Sequence, residues 1–174
     1  MSGLNQVAQI TLVNLRSIPQ RLGTSLVVVD SGNDRVQCWD MSTLTPTLLW
    51  NVTGVGNPQA LALDGSTVLV TDTRNNRLLR LDAATGAQIG GYLGAGSLHS
   101  PEGLAVDLLG NVWVSDRARN RLVELTPDGS FLQAFGSLGS THGQFSHPTH
   151  LAILGNLLYV CDVWNDRIEV YALG

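Results

Sequence analysis

Short apolar runs that each close on an aspartate recur four times along the chain: Leu26-Val27-Val28-Val29-Asp30, Val68-Leu69-Val70-Thr71-Asp72, Val112-Trp113-Val114-Ser115-Asp116 and Leu158-Tyr159-Val160-Cys161-Asp162. The aspartates follow one another at intervals of 42, 44 and 46 residues, and an arginine stands five residues after each, at Arg35, Arg77, Arg121 and Arg167. An apolar residue follows every arginine (Val36, Leu78, Leu122, Ile168). Asparagine lies two places before three of them (Asn33, Asn75, Asn165), and in the third copy Asn120 directly precedes Arg121. A period of this length marks a repeat architecture. Each copy predicts about four short strands parted by Gly, Asn, Asp or Pro turns, for example 103–107, 111–116, 121–126 and 130–136 in the third. Turns such as Leu109-Gly110-Asn111 and Pro127-Asp128-Gly129 supply residues that tolerate positive φ or preset it, so the strands pair as a meander. A four-stranded meander repeated around an axis is a propeller blade, and a helical solenoid is excluded.

The later copies also share a proline and a short strand upstream: Pro58-Gln59-Ala60-Leu61-Ala62-Leu63-Asp64, Pro101-Glu102-Gly103-Leu104-Ala105-Val106-Asp107 and Pro148-Thr149-His150-Leu151-Ala152-Ile153. Together these motifs resemble the NHL repeat over nearly the whole chain, which implies an all-β β-propeller of four NHL-type blades. The first copy departs, because Pro19 reaches Asp30 in 11 residues, so its inner strand or first hairpin is expected to be short. The fourth ends on its third strand, at Ile168 to Gly174. The segment Val7-Ala8-Gln9-Ile10-Thr11-Leu12 sits at the distance from Pro19 at which Gly90 to Leu93 precede Pro101, so it is expected to complete the last blade and close the ring. The resulting division is one domain, 1–174, with repeats at about 14–50, 51–93, 94–136 and 137–174, and 4–13 completing the last. The matching phase of the two ends leads to the expectation of a complete chain. A closed four-bladed monomer is the first expectation, and a homo-oligomer that exchanges the N-terminal strand within a larger ring is the second.

Composition narrows the function classes. At 174 residues the chain fits one domain with its own core, and 44% hydrophobic against 14% charged residues with 19 glycines suits many short strands. The net charge is −4 and there is no lysine, which argues against a nucleic-acid partner, whose footprint is a basic face. The start, Met1-Ser2-Gly3-Leu4-Asn5-Gln6, lacks a basic segment followed by a long apolar one, so an intracellular location is expected. No apolar run is long enough to span a bilayer, and no membrane partner is expected. Cys38 and Cys161 form neither a disulfide framework nor zinc spacing and are expected to be buried free thiols.

The Asp-to-Arg pairs (Asp30/Arg35, Asp72/Arg77, Asp116/Arg121, Asp162/Arg167) read as structural, the carboxylate capping the N–H groups of its own turn while arginine bridges to it. In NHL-like peptide-amidating lyases, histidines directly after the repeat proline hold zinc; here Gln59, Glu102 and Thr149 take those places, and His150 falls one residue late. A metal site from His147, His150 and a neighbour is therefore a secondary reading, and no cofactor is expected. Gly86, Gly90 and Gly91 are turn glycines that open no helix, so no phosphate loop follows, and no catalytic triad is in phase. Arg74, Arg117 and Arg119 exceed what the repeat requires and fall on one face with the Gly/Ser/His segment 136–147. Trp164 lies in a loop on that face and is the tryptophan most open to a ligand role. The sequence thus points to a non-enzymatic protein-interaction or scaffolding propeller, with binding residues Arg74, Arg117, Arg119, His147, His150 and Trp164 and an acidic protein segment as partner. The alternative is a metal-dependent lactonase- or lyase-like propeller enzyme, and an RNA-binding NHL module ranks last.

Overall fold

A computed structural model describes residues 20–174. The first sheet holds β1 (Gln20–Leu22), β2 (Ser25–Asp30), β3 (Arg35–Asp40) and β4 (Thr47–Thr53). The second holds β5 (Leu61–Asp64), β6 (Thr67–Asp72) and β7 (Arg77–Asp82). The third is β8 (Pro101–Val106), β9 (Val112–Asp116), β10 (Arg121–Leu125) and β11 (Phe131–Phe135), and the fourth is β12 (Pro148–Leu154), β13 (Leu157–Asp162) and β14 (Arg167–Ala172). Every pairing is antiparallel between neighbours in sequence, so each sheet is a meander. The only helical pieces among the described residues are four one-turn 3-10 segments, Ser31–Asn33, Thr73–Asn75, Arg117–Arg119 and Val163–Asn165, each just after a motif aspartate. The fold is therefore all-β, with four sheets in a propeller-like succession.

Period-2 alternation turns successive residues to opposite faces, and here both faces of a sheet are used. We term the face that a sheet turns toward the next one in sequence its forward face, and the other its back face. Val27, Val29, Val36 and Cys38 of the first sheet pack forward onto Leu61, Val68, Val70 and Leu79 of the second. Leu69 and Leu78 in turn pack forward onto Leu104, Val112, Val114 and Val123 of the third. Leu122, with Trp113 beside it, packs onto Leu158, Val160 and Tyr171 of the fourth. Burial on both faces explains why the middle strands read as continuous apolar runs. The inner strands β5, β8 and β12 follow one another in contact, with β1 against β5.

The second sheet has no regular outer strand. Residues 88–93 pair with β7 only at Leu78↔Leu93 and Leu81↔Gln88, because Gly90 at φ 69° with Gly91 beside it breaks the extended backbone. The described part of the first inner strand, β1, pairs without the register shift that interrupts β8 between Pro101 and Leu104 and β12 between Pro148 and Leu151. Strand β4 continues to Thr53, past the expected boundary at residue 50. The strand expected at 4–13 and the proline at 19 lie outside the described residues. Among those described, β14 pairs with β13 alone. Its forward face is open, with Ile168 at 64% and Val170 at 44% exposure where the equivalent Val36 and Leu78 are at 0%. For the same reason Cys161 is half-buried, correcting the expectation of two buried thiols, whereas Cys38 is buried and burial pushes its thiol pKa up.

Candidate functional site

Each motif aspartate ends its strand directly opposite the motif arginine, at Asp30↔Arg35, Asp72↔Arg77, Asp116↔Arg121 and Asp162↔Arg167. The four carboxylates are at most 1% exposed. Oδ2 accepts from arginine Nε at 2.7, 2.7, 2.8 and 2.9 Å along the chain. Three also accept the amide of Asn33, Asn75 or Asn165. The other oxygen does something the sequence reading missed. No aspartate caps its own 3-10 turn. Instead Oδ1 of Asp72, Asp116 and Asp162 accepts the backbone N–H of Gly56, His99 and Ser146, each 2.6 Å away and two residues before the repeat proline. The buried charge therefore anchors the segment that leads into its own sheet.

A second residue couples each sheet to the next. Directly before every motif arginine stands Asp34, Asn76, Asn120 or Asp166, in the left-handed region at φ 50°, 57°, 51° and 51°. Asn and Asp tolerate that conformation better than other side chains. The side-chain oxygens of Asp34, Asn76 and Asn120 accept the N–H of Asn57, Ser100 and His147, the residues just before the prolines of the following sheet. Ser31 and Thr73 add hydroxyl bonds to the carbonyls of Pro58 and Pro101, and Ser115 does so to Thr149. Asn120 is thus the third copy's coupling residue and not a displaced version of Asn33. Arg119 occupies the Asn33 position, with its Nη1 3.5 Å from Asp116 Oδ2. An Asx before every motif arginine was the signal in the sequence for this device.

The candidate binding residues do share the face of these turns and lead-in segments, and their charges are locally matched. Arg74 pairs with Asp34 across two sheets at 3.1 Å, and Arg117 lies 3.2 Å from Glu102. Arg119 also donates to the carbonyl of Ser97. The Trp164 ring, 65% exposed, stacks on the His147 imidazole with centroids 3.3 Å apart. Burial, and then the Arg117 charge, hold His147 below the usual imidazole pKa, with Glu102 opposing. His150 is exposed at the inner strand of the fourth sheet. Of the three positions after the prolines, Gln59 donates to the Asn57 carbonyl, Glu102 faces Arg117, and Thr149 lies against His150. Among the described residues no three His, Cys, Asp or Glu side chains come together as a metal-binding set. The cavity between the inner strands, about 330 Å³, is bordered by Leu61 to Leu63, Leu104 to Val106 and Leu151 to Ile153, and more of its wall is polar than apolar.

A further cluster sits where the segment 136–147 crosses the fourth sheet. Glu169, 8% exposed, accepts from Tyr171, pairs with Arg167 at 3.0 Å and meets His142 Nδ1 at 2.7 Å. His142 stacks on Tyr171, which Phe135 and Phe145 flank edge-on. Burial first, then the hydrogen bond to Glu169 and its charge, push the Tyr171 pKa up to about 12. The folded state therefore favours the protonated phenol. This stabilisation is complete below the ordinary tyrosine pKa of about 10 and is lost as pH rises toward that of the folded state. In an alkaline titration followed by tyrosinate absorbance, one of the three tyrosines should ionise last, and Tyr171→Phe should remove that step. A native titration with all tyrosines ionising together would contradict it.

No family model matches the chain. Over 138 residues, 73% of its length, it is 27% identical to peptidylglycine alpha-amidating monooxygenase of Rattus norvegicus, and it spans 12% of that protein. Among solved structures it is similar to the computationally designed Ika4 protein, with a TM-score of 0.74 at 14% identity, covering 99% of this chain and 100% of that one. It is also similar to streptogramin B lyase, with a TM-score of 0.64 at 19% identity, covering 86% of this chain and 51% of that one. At these identities the structural likeness establishes the propeller-like all-β fold alone.

Proposed function

We propose that this chain is a non-catalytic, NHL-type propeller module that binds a protein partner through the face carrying the 3-10 turns. The observation that carries this reading is the Trp164–His147 stack, a broad aromatic surface left exposed beside the paired arginines Arg117 and Arg119. Exposed tryptophan and arginine are the side chains on which interface energy concentrates. The motif carboxylates and arginines are engaged in holding sheets together, which supports reading them as framework. An acidic, extended protein segment is the partner, since each guanidinium now holds its carboxylate through a single contact and its planar fork can take an incoming carboxylate with two.

The test is binding of an acidic peptide library to the wild-type chain and to a variant carrying Arg74→Ala, Arg117→Ala and Trp164→Ala. Exposed ion pairs are worth about 0–1 kcal/mol, so the variant should stay folded. It should lose peptide binding together with its salt dependence. A folded variant that retains the same peptides at the same ionic strength would remove this surface from consideration. Stoichiometric zinc or calcium in the purified protein would instead favour the lactonase- or lyase-like reading.

A further inference from the structure

Toward the strand ends that lie away from the 3-10 turns, the three junctions between sheets are filled differently. Strand pairing places one row of forward-facing side chains across each sheet at this level. In the first sheet the row is Val27, Cys38 and Trp50, and the buried Trp50 indole crosses to donate to the Ala83 carbonyl just after β7. In the second, Leu69 and Arg80 stand in the row, and the Arg80 guanidinium donates to the Pro127 carbonyl in the turn after β10. In the third the row is Trp113, Glu124 and Gln133. Its side-chain hydrogen bonds stay within the third sheet and its turn at 107–111, so where the first junction holds an indole the third holds a shorter amide and a cleft.

The cleft has two parts, of about 170 and 280 Å³, which share the wall made by Trp113, Gln133, Ala172 and Leu173. The larger alone approaches the lower end of the size range of small-molecule sites, about 300 Å³. One part is apolar, closed by Leu122, Phe135, Leu158 and Tyr171. The other carries Asp107, Asn111 and Glu124. Glu124 is 8% exposed, and its two oxygens accept from neutral amides, Asn111 Nδ2 at 3.0 Å and Gln133 Nε2 at 2.7 Å. Asp107 Oδ1 takes the N–H groups of Leu109 and Asn111, both at 2.9 Å, while Oδ2 receives the Trp113 indole N–H at 3.3 Å. No arginine or histidine lines either part. The four buried motif aspartates each hold an arginine, whereas Glu124 is a buried carboxylate with amides alone, beside an open space. A buried charge calls for an opposite one, and each Glu124 oxygen keeps a lone pair to offer it.

We propose that this cleft binds a small organic cation, a primary ammonium carried on a flat apolar body. The ammonium sits between Glu124 and Asp107 beside the Trp113 ring, and the body lies among Phe135, Leu158 and Tyr171. Three N–H donors suit the free lone pairs of two carboxylates, and an indole at the same wall adds attraction for the charge. An adjoining opening shares Asp107, Leu109 and Leu173 with the acidic part and includes Leu108. Leu108 and Leu109 are 88% and 76% exposed, so the way in is apolar and favours a ligand with a hydrocarbon body over a hydrated inorganic ion. The site lies at the opposite end of the strands from the proposed protein-binding surface and does not depend on it.

Phenethylamine is the probe, titrated into the full chain by calorimetry, with 2-phenylethanol (body without charge), ethylamine (charge without body) and calcium as comparisons. Phenethylamine should bind saturably, one per chain, and at least about tenfold more tightly than either fragment control. In proton–nitrogen spectra it should move the indole N–H resonance that Trp113→Phe removes, out of the four tryptophans. Glu124→Gln should weaken it at least about tenfold. Gln133→Lys, at an exposed position paired with Glu124, places a tethered ammonium on the same carboxylate and should compete to a similar degree while leaving the fold intact. That second variant decides the matter even if Glu124→Gln does not fold. Absence of saturable binding, equal binding of 2-phenylethanol, tighter binding of calcium, or a Gln133→Lys chain that binds as the wild type does would each overturn the proposal. Acidic-peptide binding at the other face should be indifferent to phenethylamine, so either reading can fail while the other stands.

Discussion

Asp72→Ala is expected to lower the unfolding free energy by about 3 kcal/mol, at the lower end of what removing one member of a buried ion pair costs. The carboxylate is 1% exposed and accepts from Arg77, Asn75 and the N–H of Gly56. Arginine is about a quarter exposed and can turn to solvent, which limits the loss. Asn75 is exposed and its amide can do the same, but the buried Gly56 N–H has no such escape, and an unmet buried donor carries its full desolvation cost. Asp72→Asn keeps an acceptor for Gly56 while giving up the charge, so its effect should be about half as large. Denaturant unfolding followed by tryptophan fluorescence gives both values from the shift in midpoint. If the two substitutions cost the same, the Gly56 bond is not what the carboxylate contributes.

Gly103→Ala should be comparably damaging for a purely steric reason. An added Cβ would meet the carbonyl oxygen of Thr149 at 2.0 Å and its carbon at 2.9 Å, and this is backbone of the next inner strand, which has no rotamer to change. Overpacking of this kind costs about 1–3 kcal/mol, and a contact this close on main chain belongs at the upper end. Gly103 is small because the third sheet approaches the fourth there, and Ala60 holds the equivalent place on the second sheet. Gly91→Ala provides the comparison: nothing lies within 4 Å of the added atom and no positive φ is involved. It should be neutral, or stabilising by up to about 1 kcal/mol through the unfolded chain. Equal thermal midpoints for the two variants would show that the approach at Gly103 relaxes freely.

Strand-length apolar runs, the turn residues between them and the Asp–Arg spacing made the four meanders legible in the sequence, because middle strands buried on both faces leave a direct trace in residue type. The third copy shows this most clearly, with four expected strands found within about two residues of their observed ends. The function of the surface was far less legible. Arg119 reads as an excess charge in the sequence, yet in space it stands where Asn33, Asn75 and Asn165 stand and meets the equivalent aspartate carboxylate. Arg74 likewise finds Asp34, 40 residues away in the chain, through a sheet junction that no local pattern announces. The Asx coupling residues were hidden for a related reason. Their role depends on backbone conformation and on a partner in the following repeat, whereas a motif scan compares each repeat with the others and not with its neighbour.

The Asx coupling also has a direction. Asp34, Asn76 and Asn120 each belong to a completed hairpin, and the N–H they accept belongs to a segment that comes later in the chain. As the polypeptide leaves the ribosome, every acceptor is in place before its donor has been made. Each new meander therefore meets a preformed template, and assembly runs from the amino end without waiting for distant sequence. Local, stepwise docking of this kind keeps the contact order of each event low and limits the time an unpaired hairpin spends exposed.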